Sequence, residues 1–229
     1  APPLGATDGQ FAVVAANPAL AAAFGAGVAM FVMMWRTGKP DPGMMVNGML
    51  GGLVAITAPC AFTSPAYSAL IGVISGVLVI YAAEFIDRKL HVDDPVGAIA
   101  VHGVCGTFGV LAVGLFANGS YGGGWNGSDV PAIEGVVEGE FGQLGAQALG
   151  VLVLWTVMFG LVYGFFKIQN AIMKGGIRPP AEVEIAGLDM PEMGAMGYPD
   201  FLEIDPIVVG AGGGSPTIET PVEDVPEPV

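Results

Sequence analysis

Few residues in this chain could do chemistry, and one of them stands where an ionisable group is costly to keep. His102 is the only imidazole inside an apolar run. That run, Val96 to Ala117, reads V-G-A-I-A-V-H-G-V-C-G-T-F-G-V-L-A-V-G-L-F-A, 22 residues without a charge. An imidazole titrates near neutral pH and offers one donor and one acceptor nitrogen, so it can accept a proton and pass it on. Held within lipid, such a group faces a cavity or a partner and marks a functional site by default. The alternative is a structural histidine satisfied by the carbonyl of a neighbouring helix.

Helical spacing places Ala98, Ile99, Cys105, Gly106 and Gly109 on the His102 face. The first four are candidate pore-lining residues, since that face is apolar and narrow and suits a small uncharged permeant better than a hydrated ion. Just upstream, Val92-Asp93-Asp94-Pro95 predicts a helix start, with Asp94 as the N-cap and Pro95 in the first helical position. A carboxylate there also favours the positive end of the helix dipole, and the capping role outweighs an acid–base role. His91 reads as a solvated loop residue. Cys60 and Cys105 both lie in apolar runs, which argues against a disulfide framework, and no metal site or cofactor motif is evident.

These residues need elements to hold them. About 20 apolar residues at ~1.5 Å each cross the hydrocarbon core, and within it only a helix satisfies its own backbone locally. The sequence predicts five such spans, at about 12–35, 44–62, 66–86, 95–117 and 142–174. The second is the weakest, rich in glycine and interrupted by Asn47 and Thr57. Gly48 and Gly52, Gly72 and Gly76, and Gly160 and Gly164 are each four apart, the spacing that lets helix backbones approach where no hydrophobic force drives association. The fold class expected is therefore an all-α membrane protein.

Composition and charge support this. Hydrophobic residues make up 53% and charged residues 12%, about half the usual soluble share. The formal charge of −14 is unevenly placed: residues 1–180 hold ten acids and all seven bases, while residues 181–229 hold eleven acids and no base. A nearly neutral membrane domain, 1–178, thus carries an acidic tail, 179–229, with scattered prolines and a partly disordered character. Arg36, Lys39, Arg88, Lys89, Lys167, Lys174 and Arg178 all fall on one side of the five-span layout. By the positive-inside rule that side is cytoplasmic, which places the N-terminus of the segment outside and the tail inside. The chain begins without an initiating Met or a signal peptide, as a processed protein or a fragment would.

V-D-D-P-V-G-A-I-A-V-H-G-V-C-G, preceded by N-G-M-L-G-G-L-V-A-I-T, resembles the second half of ammonium transporters of the Amt/Rhesus family. G-I-R-P-P-A-E-V-E-I-A-G-L-D resembles the cytoplasmic segment after the last helix in the microbial Amt branch. The likeness runs from about residue 10 to Asp189; residues 191–198 match loosely, and 201–229 have no counterpart.

The resemblance implies an eleven-helix protomer in a homotrimer of the cell (inner) membrane, built from two inverted five-helix repeats and a long last helix. The five spans then correspond to the seventh to eleventh helices. It also implies an apolar pore in each protomer with a pair of facing histidines, the second at His102, and makes Asp94 the inverted-repeat counterpart of a recruiting-side acid. The first histidine belongs to a half not present in these residues. Ammonium would shed its proton, cross as ammonia, and His102 would serve as one ring of the proton relay. Gly187, Leu188 and Asp189 correspond to a regulatory segment, with a trimeric PII-type signalling protein as the expected partner. A transport protein rather than an enzyme is implied, with no cofactor and no nucleic-acid partner. Two alternatives stay open: a sensor or scaffold that acts through its tail, and a non-conducting half-protein.

Overall fold

Prolines and short polar side chains set the helix starts. Asp41 accepts from the Met44 amide at 3.0 Å and Ser64 from the Tyr67 amide at 3.4 Å, with Pro42 and Pro65 each opening the helix that follows. The computed structural model describes residues 9–123, 131–195 and 197. Its helices are α1 (Gly9–Thr37), α2 (Pro42–Thr57), α3 (Pro65–Arg88), α4 (Ile99–Phe116), α5 (Gly142–Ile172) and a short α6 (Ala181–Ala186). Among the described residues the β structure is limited to an isolated antiparallel bridge between Asn118 and Glu134. The loop residues 124–130 and the tail residues 198–229 lie outside the described residues.

This is an all-helical membrane protein. Four helices, α1, α3, α4 and α5, are long and apolar enough to cross a bilayer. The expected second span is shorter than predicted: α2 stops at Thr57 after 16 residues, and turns occupy 58–62. The chain divides into two compact units, Ala1–Phe166 and Lys167–Val229.

Within the first unit, small residues decide how closely the helices meet. Ala21, Gly25 and Ala29 form the buried edge of α1. A β-carbon on Gly52 of α2 or on Gly72 of α3 would run into the Ala21 carbonyl. One on Gly48 or Gly76 would lie 2.5 Å from the carbonyl oxygen of Gly25. The backbone of α1 is thus gripped from two sides by glycine pairs, and van der Waals contact at this range is what holds helices together in lipid. The third predicted pair behaves differently. Gly160 and Gly164 have nothing within 4 Å of where a β-carbon would stand, so their spacing packs no helix of the described chain.

Polar contacts tie the helix ends. Asn17, fully buried in α1, donates from Nδ2 to the carbonyls of Cys60 at 2.8 Å and Thr63 at 2.9 Å. Ser68 returns a bond to the Asn17 carbonyl at 2.5 Å, and Thr63 Oγ1 donates to the Phe116 carbonyl at 2.8 Å. At the opposite end Arg36 pairs with Glu84 at 2.8 Å and lies over the Tyr81 ring. The helix α5 packs against α4, yet in its most apolar 18-residue stretch 0% of residues are buried.

Candidate functional site

The approach to α4 is built on a carboxylate and a glycine. The Asp94 side chain accepts from the amides of Ile99, at 3.0 Å, and Ala100, at 3.3 Å, two of the donors that a helix start leaves unpaired. The predicted register is corrected, however. Pro95 lies in a turn closed by the Gly97 amide on the Asp94 carbonyl at 3.0 Å, so it does not occupy the first helical position. Gly97 sits at φ +73, and a β-carbon there would lie 2.7 Å from the Asn47 amide nitrogen, so only glycine fits.

His102 comes next, on a turn of unusual width. Ile99–Val104 is π-helical, with bonds from residue i+5 to residue i in place of i+4, and the Cys105 amide reaches back to the Ala100 carbonyl. Such turns are frequent at functional sites. The widening changes which residues share a face. Three residues now fall well short of a full turn, so Cys105 rotates away from His102. The structure buries Cys105 completely (0% exposed), with its Sγ 3.9 Å from the Ser75 carbonyl, whereas His102 is exposed. Gly109 is likewise buried, against Ala55 of α2. The single apolar face drawn from α-helical spacing is therefore split. Ala98 and Ile99 (40% exposed) stay on the exposed side with His102, and Gly106 is half-buried toward Val54.

Two residues, one on α4 and one on α5, carry a contact that sequence reasoning passed over. Trp155 donates from its indole nitrogen to Thr107 Oγ1 at 2.9 Å, and Thr107 donates to the Gly103 carbonyl at 2.7 Å. The signal available was a donor-only indole within an otherwise apolar span, which needs a partner. In the second unit, Gly187 sits at φ +106 and Leu188 is partly exposed. Asp189 opens a π-helical turn and accepts from the Gly197 amide at 2.8 Å.

Comparison with known proteins bears on this arrangement. The model of the Ammonium Transporter Family matches residues 3–198. The chain belongs to that family. Ammonium transporter Amt2 of Archaeoglobus fulgidus is 40% identical over 214 residues, covering 92% of this chain and 45% of the relative. The ammonium transporter of Bacillus subtilis is 30% identical over 196 residues, 84% of this chain and 45% of its own length. Among solved structures, a sensor Amt protein superposes with a TM-score of 0.69 at 36% identity, covering 81% of this chain and 43% of that one. Mep2 of Saccharomyces cerevisiae gives 0.68 at 25% identity, covering 76% and 38%. The chain spans less than half the length of these relatives. The family match also reaches beyond Asp189, through the loosely matching residues 191–198.

Proposed function

We propose that this chain supplies one side of an ammonium pathway through the membrane, with His102 as its proton-handling group. The observation that carries the reading is an exposed imidazole in the opening π turn of an apolar helix, in a chain of the ammonium transporter family. Moving an intact ammonium ion through an apolar passage would carry a large desolvation penalty, which falls away once the proton is released and ammonia crosses. An imidazole near its pKa can take that proton and return it through its second nitrogen. Ala98, Ile99 and Gly106 line the route beside it; Cys105, buried on the opposite side of α4, does not.

In this reading the helices α1 to α5, the short α2 included, all cross the membrane, the N-terminal end of α1 faces outside, and the tail is cytoplasmic. A matching half completes the pore with the facing histidine, and three protomers assemble. The Gly187-Leu188-Asp189 segment contributes to a docking site for a PII-type signalling protein. The experiment is ammonium-driven current in proteoliposomes holding the complete protein. His102→Ala should sharply reduce the current or alter its selectivity against potassium. Unchanged currents from His102→Leu, together with a destabilised assembly, would establish a structural histidine instead.

A second reading is favoured by the match to a solved protein described as a sensor. There, ammonium binding would be reported through the tail. Truncation after Arg178 separates the two: a sensor keeps its conduction and loses signalling, and a transporter without that role loses neither.

A further inference from the structure

Two π-helical turns lie along the described part of the first unit, and they are connected. One, Ile99–Val104 in α4, carries His102; the other, Leu154–Met158 in α5, carries Trp155. The link is the chain from the Trp155 indole to Thr107 Oγ1 at 2.9 Å and from Thr107 to the Gly103 carbonyl at 2.7 Å. Its direction is fixed by chemistry. An indole nitrogen can only donate, so the threonine oxygen accepts from it and must send its own proton onward to the carbonyl. That carbonyl belongs to the residue next to His102, inside the widened turn. The far edge of the Trp155 ring and Ile99 both lie beside Gly103: a β-carbon there would be 3.9 Å from the ring and 3.5 Å from Ile99. Bonds in series polarise one another and so reinforce one another.

We infer that Trp155, acting through Thr107, is a positioning residue for His102: it holds the widened turn and thereby fixes the geometry in which the imidazole exchanges a proton. The inference rests on the proposed role of His102 in the ammonium pathway. Trp155 itself remains 44% exposed, so its ring is not simply core filling. A threonine bonding back to the carbonyl four residues earlier tends to bend a helix. Here the threonine and its acceptor straddle the seam between the π turn and the regular part of α4. If the chain of bonds only glued α5 to α4, breaking it would lower the yield of folded protein and leave the behaviour of what folds unaltered.

The test compares Thr107→Val, Thr107→Ser, Trp155→Phe and His102→Ala in the complete protein in proteoliposomes. It measures ammonium-driven current against pH and the ammonium-to-potassium selectivity. Thr107→Val keeps the shape and removes both bonds; Trp155→Phe keeps an aromatic ring and removes the donor. Both should displace the pH profile or lower selectivity by about tenfold or more, the scale on which small misplacements of positioned groups act. Thr107→Ser, which retains the hydroxyl, should restore the wild-type profile. If His102→Ala changes the current while Thr107→Val and Trp155→Phe leave pH profile and selectivity as in wild type, the positioning role is overturned and the pathway reading stands. The same holds if those two variants only reduce the amount of folded protein. If His102→Ala changes nothing, or the complete protein passes no ammonium, the pathway reading falls and this inference falls with it.

Discussion

Gly25 of α1 and Gly48 of α2 meet backbone to backbone, so closely that neither position can accept a β-carbon. The added atom on Gly48 would stand 2.5 Å from the Gly25 carbonyl oxygen, and Ala29 closes the remaining space. Helix separation along this seam is set by the absence of side chains.

Gly48→Ala should therefore loosen the bundle, at a cost of about 1–3 kcal/mol typical of overpacking. Gly160→Ala, with nothing nearby in the described chain, should cost nothing and gain slightly in helix propensity. Unfolding in mixed detergent micelles measures both. Equal losses at the two positions would contradict the packing described.

Asn17 offers a second test. It holds two carbonyls of the α2–α3 connection, those of Cys60 and Thr63. Asn17→Leu keeps the bulk and removes both bonds, which should destabilise by about 1–3 kcal/mol for each buried carbonyl left unpaired. Faster amide exchange confined to residues 58–64 would locate the damage there.

The Asp94 carboxylate caps the π turn from five and six residues upstream. Asp94→Ala should cost about 1 kcal/mol, the usual worth of a cap. Asp94→Asn keeps an acceptor oxygen and should recover most of it. If the alanine variant is as stable as wild type yet fails to transport in the complete protein, the carboxylate acts on the permeant and capping is secondary.

Sidedness is measurable by labelling. Ser120 and Glu184 are both exposed in their own units. Ser120→Cys should react with an impermeant thiol reagent added outside intact cells, and Glu184→Cys should react only after the membrane is opened. Reaction of both from the same side would refute the assignment of all seven bases to the cytoplasm.

Much of this architecture was legible in the residues, because length, hydropathy and breakers act locally. Pro42 and Pro65 mark helix starts, and the uncharged run around His102 marks α4. What failed depended on a uniform 3.6-residue period. The π turn at Ile99–Val104 breaks it, so Cys105, placed beside His102 by spacing, is buried against α2 and α3. Pro95 was misplaced for a related reason: the chain inserts a glycine turn between Asp94 and the first helical bond, and local preference does not reveal how far a carboxylate reaches. Spacing alone also could not separate Gly48 and Gly52, which meet a neighbour, from Gly160 and Gly164, which do not. Trp155 was legible only as a donor lacking a partner; Thr107, 48 positions away, is brought to it by tertiary structure.

The shortness of α2 has a consequence for the surrounding lipid. Sixteen residues rise roughly 24 Å, whereas a bilayer's hydrocarbon is about 30 Å thick. If α2 crosses the membrane as proposed, the turns at 58–62 would sit beneath the water-facing boundary, a depth at which irregular backbone survives only under protein cover. The Asn17 amide takes the place of water for that backbone. If the exposed Met45, Val46, Met49 and Leu50 of α2 meet lipid, acyl chains would compress to match it. Bilayer thickness thereby becomes a variable of this protein: a thicker, sterol-stiffened membrane would strain the α2–α3 connection first, and a thinner one would relax it.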